Sequence, residues 1–78
     1  MGADKEAVIR ETLKELLLGA KRLAPGRSAA VLLREACLKA ITTGYKPEKF
    51  QEAWELVDVA DLEELTALME SWIEEEQQ

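Results

Sequence analysis

The chain of 78 residues has no histidine and no asparagine, and Cys37 is its one cysteine. Without histidine the common zinc ligand sets cannot be assembled, nor can the Glu-x-x-His motif of di-iron carboxylate bundles. A lone cysteine excludes an internal disulfide. It also has no imidazole to activate it, so Cys37 reads as a buried structural thiol rather than a nucleophile. Four glycines and two prolines are spread along the chain, and neither the P-loop nor the dinucleotide-binding glycine pattern occurs. No apolar run is long enough to cross a bilayer and no signal-peptide pattern is present. Met1-Gly2-Ala3-Asp4-Lys5-Glu6 lacks the Ser or Thr of a myristoylation signal. The expectation is a non-enzymatic, cytoplasmic protein without metal or other cofactor, and no small-molecule substrate is evident.

Strand patterning is missing too, since alternation is absent and β-branched residues are few. The apolar period is helical, and it predicts one all-α domain over residues 1–78 with helices at about 4–23, 29–43, 47–58 and 62–76. In the first helix, Ile9, Leu13, Leu16, Leu17, Ala20, Leu23 and Ala24 share one arc of about 120°. Pro25 and Gly26 end it, with Gly19 as an earlier weak point, and Ser28 is the expected N-cap of the second. That helix has a narrow face of Ala29, Ala36 and Ala40 flanked by Leu32 and Leu33. Val31 and Leu38 lie opposite, so it is expected at the centre, sandwiched between neighbours.

Gly44 is placed as a C-terminal cap and Pro47 as the first residue of the third helix. Phe50, Ala53, Trp54 and Val57 form its core stripe. Asp61 with Glu64 gives a capping-box-like start to the fourth helix, whose stripe is Leu62, Leu65, Leu68, Met69, Trp72 and Ile73. Both tryptophans fall inside apolar stripes and are assigned to the core. Short connections predict a small four-helix up-down bundle, with an angled placement of helices three and four against one and two as the alternative. Residues 75–78 are expected to be a frayed acidic tail.

Charge is distributed unevenly. The net charge of −6 divides into −1 over residues 1–20, +5 over 21–49 and −10 over 50–78, where no basic residue occurs. Two readings follow: oppositely charged helices pack side by side, or one face suits a partner of opposite sign.

The stretch Arg22-Leu23-Ala24-Pro25-Gly26-Arg27-Ser28-Ala29-Ala30 resembles an anion cradle at a helix start. Yet stopping one helix and capping the next accounts for its residues. Asp58 and Asp61 fall at the same end of the bundle, giving Arg22 and Arg27 internal anions.

Two functional readings remain. Leu18 lies outside the main arc of the first helix, Val8 at its edge, and Val31 and Leu38 on the second apolar side of the second; together they point to docking on a protein partner, with a homodimer expected. The alternative is an RNA- or DNA-binding regulator that contacts phosphates through Lys21, Arg22 and Arg27 within the basic segment 21–49. Glu48, Glu52, Glu55 and Asp58 make the third helix a poor recognition helix, and nucleic acid is the lesser expectation.

Overall fold

The computed structural model describes residues 2–23 and 26–74, with side chains from residue 5 onward. Four helices follow in order: α1 Gly2–Leu23, α2 Arg27–Thr43, α3 Pro47–Leu56 and α4 Leu62–Glu74. No strand occurs among the described residues. The helices form a small four-helix bundle in which α1 packs on α2, α2 on α3 and α4 on α3 and α1, while α1 and α3 stand diagonally apart.

Local signals account for most of the boundaries. Gly44 takes a left-handed conformation, φ 79° and ψ 18°, that an L side chain adopts only at a cost. The Tyr45 N–H then reaches back to the Ala40 carbonyl at 2.9 Å, satisfying the end of α2. Pro47 opens α3, where its missing N–H costs nothing. One carboxylate oxygen of Asp61 accepts the N–H groups of Glu63 at 2.9 Å and Glu64 at 3.1 Å, capping α4.

Several expectations are corrected. Ser28 is not an N-cap: α2 begins at Arg27, one residue earlier, and Gly26 precedes it in a conformation suited to glycine (φ 156°). The Gly26 carbonyl accepts the Ala30 N–H at 3.2 Å, which places Ser28 inside the first turn. Gly19 does not interrupt α1. The third helix stops at Leu56 and passes into a turn through Val57–Val59, short of the expected 58. Pro25, Ala24 and the 75–78 tail lie outside the described residues.

The core gathers one stripe from each helix. Leu13, Leu17 and Ala20 of α1 meet Ala29, Leu33, Ala36, Cys37 and Ala40 of α2, with Phe50 and Ala53 of α3 and Leu65, Met69, Trp72 and Ile73 of α4. The alanine face of α2 (Ala29, Ala36 and Ala40) is fully buried against its neighbours. Phe50 and Trp72 interlock edge to face, with ring centroids 5.2 Å apart. Leu23, Trp54 and Leu68, assigned to core stripes from periodicity, are instead substantially exposed. Helices this short in a bundle this small are covered on one narrow side, so residues at the edge of an arc face water.

Candidate functional site

The second helix carries two apolar sides, and only one of them is covered. Its inner side is fully buried, but Val31 and Leu38 remain 59% and 51% exposed. The expected sandwich does not form: α2 packs on its neighbours through one side and leaves the other to solvent. Seven residues apart, Val31 and Leu38 complete about two turns and lie on the same line along the helix.

A cross-helix ion pair fixes what lies beside them. Arg34 of α2 donates to the Asp58 carboxylate just beyond α3. A short turn at Gly44–Lys46 joins α2 to α3, and because Arg34, well before the end of α2, meets Asp58, just past the end of α3, the two helices lie alongside and antiparallel. One helical turn from Arg34 is Leu38, and Trp54 lies in the last turn of α3, its carbonyl accepting the Val57 N–H just before Asp58. Antiparallel register therefore sets Leu38 alongside the last turn of α3, which carries Trp54, 36% exposed. The outer side of α2 thus presents Val31 and Leu38 beside one ion pair, with Trp54 on the neighbouring α3. Sequence reasoning missed Trp54; its place shortly before Asp58 carried the signal, but only once that aspartate is known to face α2.

The other proposed apolar contacts lie elsewhere. Val8 and Leu18 are 64% and 48% exposed on α1. They are about 15 Å apart along the axis and about 80° apart around it. Leu18 is three residues before Lys21, which pairs with Glu70 of α4 at 2.9 Å, so it borders the α4 side. The four residues do not form a single patch.

The basic segment is largely engaged inside the bundle. Besides Lys21 and Arg34, Lys46 donates to the Trp72 carbonyl and its ammonium stands 5.7 Å from the Tyr45 ring centroid. Lys49 lies over the Trp72 ring at 5.8 Å. Arg22 and Arg27 are exposed and have no ion-pair partner among the described residues. Asp58, an anion expected near them, is taken by Arg34 instead.

One depression of about 210 Å³ runs along the outside of α2 between Glu35, Leu38, Lys39 and Thr42. Another, about 200 Å³, lies between the start of α1 and the α2–α3 turn, lined by Lys5, Glu6, Ile9, Thr43, Gly44 and Tyr45. Cys37 is fully buried, and desolvation pushes its thiol up from 9.0 to about 11, which makes it inert. Among the described residues no group of histidine, cysteine or carboxylates is arranged to hold a metal. None of the described helices is long and apolar enough to cross a membrane. Compared with known families, with curated proteins and with solved structures, the chain has no match.

Proposed function

We propose that the chain is a small, non-enzymatic protein–protein interaction module, a regulator or accessory subunit of the cytoplasm, that associates with itself. The observation that carries this reading is the exposure of Val31 and Leu38 in line on the outer side of α2, with Trp54 exposed on the neighbouring α3. Scattered surface leucines are ordinary, but adjoining large apolar side chains on one face mark an interface. The many carboxylates of α3 and α4 that have no ion-pair partner among the described residues add long-range steering toward basic groups. Burying Val31 and Leu38 against a partner would cover the second apolar side of α2 that its pattern calls for.

Nucleic-acid binding is less well supported, because Lys21 is committed to Glu70 and Arg34 to Asp58. Only a few exposed cations remain to contact phosphates. Sedimentation equilibrium on the full chain tests the main reading. A reversible dimer is expected below about 1 mM, the range of weak specific association. A strict monomer throughout, with tight salt-sensitive binding to generic RNA or DNA, would favour the alternative.

A further inference from the structure

The geometry points to a second copy of this chain as the occupant of the α2–α3 face, seated antiparallel across a two-fold axis beside the Arg34–Asp58 pair. This assignment rests on the self-association proposed above and specifies its face and register.

An isologous contact must be self-complementary: whatever lies above the axis on one copy meets what lies below it on the other. Taking the axis midway between Val31 and Leu38 sets Val31 against the partner's Leu38, and Leu38 against the partner's Val31. Each is apolar and more than half exposed, so both contacts bury matching surface. Trp54, in the turn of α3 alongside Leu38, then covers the flank of the same patch. An aromatic beside two aliphatic residues is the composition of an interface centre.

Charge selects the orientation. Arg27 lies about 11 Å above the axis along α2, about two turns before Arg34. Glu48 and Glu55 lie below the axis on α3, on the side that carries Asp58 and Trp54. Neither these carboxylates nor Arg27 has an ion-pair partner among the described residues. The antiparallel arrangement swings the Arg27 end of each α2 over the Glu48–Glu55 side of the other copy's α3, so both ends gain opposite charges. At the axis the two Arg34–Asp58 pairs form an alternating cluster in which each arginine has two carboxylates within reach.

The footprint also sets the strength. Two adjoining helices, one 17 residues long, offer about 500 Å² per copy. That is near the lower limit for a specific interface, so the dimer is a weak, reversible one in the micromolar range.

The test exploits the two-fold symmetry and uses the full chain. Arg27→Glu alone and Glu48→Lys/Glu55→Lys alone each set like charges together twice per dimer, and each is expected to weaken association at least about tenfold. Mixed one to one, the two variants set opposite charges together at both ends and dimers return, read by light scattering and by native mass spectrometry as a mixed species. Leu38→Glu, at an exposed position, is expected to leave helical content and Tm unchanged while abolishing the dimer. Failure of the mixture to restore association overturns the antiparallel register. A dimer that survives Leu38→Glu places self-association on another face and overturns this inference while sparing the broader reading. A monomeric wild-type chain overturns both.

Discussion

Phe50 and Trp72 meet edge to face, their planes 79° apart, and this contact joins α3 to α4 at the base of the core. Phe50 is fully buried, so Phe50→Ala removes a ring and leaves a cavity. The expected loss is about 3–5 kcal/mol, a large share of the stability of so small a domain. Phe50→Leu keeps most of the volume and is expected to cost about 1–2 kcal/mol. Urea denaturation of both variants checks the ordering.

The two tryptophans should behave differently. Trp72 is packed under Phe50 and Lys49, whereas Trp54 is more than one-third exposed. Trp54→Phe is expected to remove the red-shifted, iodide-quenchable part of the emission and to change stability little. The spectrum left by Trp72 should be blue-shifted and hard to quench.

Cys37 should be silent in the folded protein. Its burial predicts no reaction with a thiol reagent until denaturant is added. Its raised folded value has a consequence for pH. Below 9.0 the thiol is neutral in both states and its contribution to stability is fully present. Between 9.0 and about 11 the unfolded chain loses its proton and the folded one does not, so stability falls with rising pH. Comparing denaturation of the wild type and Cys37→Ala across this window isolates the effect from lysine titration. The wild type should decline more steeply.

Helix ends give a fourth prediction. Asp61→Ala leaves the N–H groups of Glu63 and Glu64 without their carboxylate and is expected to cost about 1 kcal/mol, or about 4–8 °C in Tm. Gly44→Ala is expected to cost a similar ~1 kcal/mol from the left-handed backbone alone, since space for a methyl is open there. Thermal unfolding by circular dichroism measures both.

The bundle was legible in the sequence because its punctuation acts locally. Gly44, Pro47 and Asp61 each satisfy or relieve a backbone group within a few residues, and each does what its residue type predicts. Ser28 failed because two neighbouring positions compete to start the helix, and Gly26 serves with backbone geometry alone. Trp54 and Leu68 failed for another reason. Periodicity reports which side of a helix is apolar but not how wide a neighbour covers it. The outer face was half legible: Val31 and Leu38 stand apart in the pattern of α2. Their alignment with Trp54 needed the Arg34–Asp58 register, a contact between residues 24 positions apart.

The docking role of that face is tested most directly by nuclear magnetic resonance on dilution. Backbone amide spectra of the isotope-labelled chain, from about 1 mM to about 10 µM, span the weak-affinity range expected of such an interface. The expected result is concentration-dependent shifts centred on Val31, Arg34 and Leu38 and on the Trp54 indole. Spectra unchanged over the whole range, or shifts confined to Val8 and Leu18 on α1, would contradict the account.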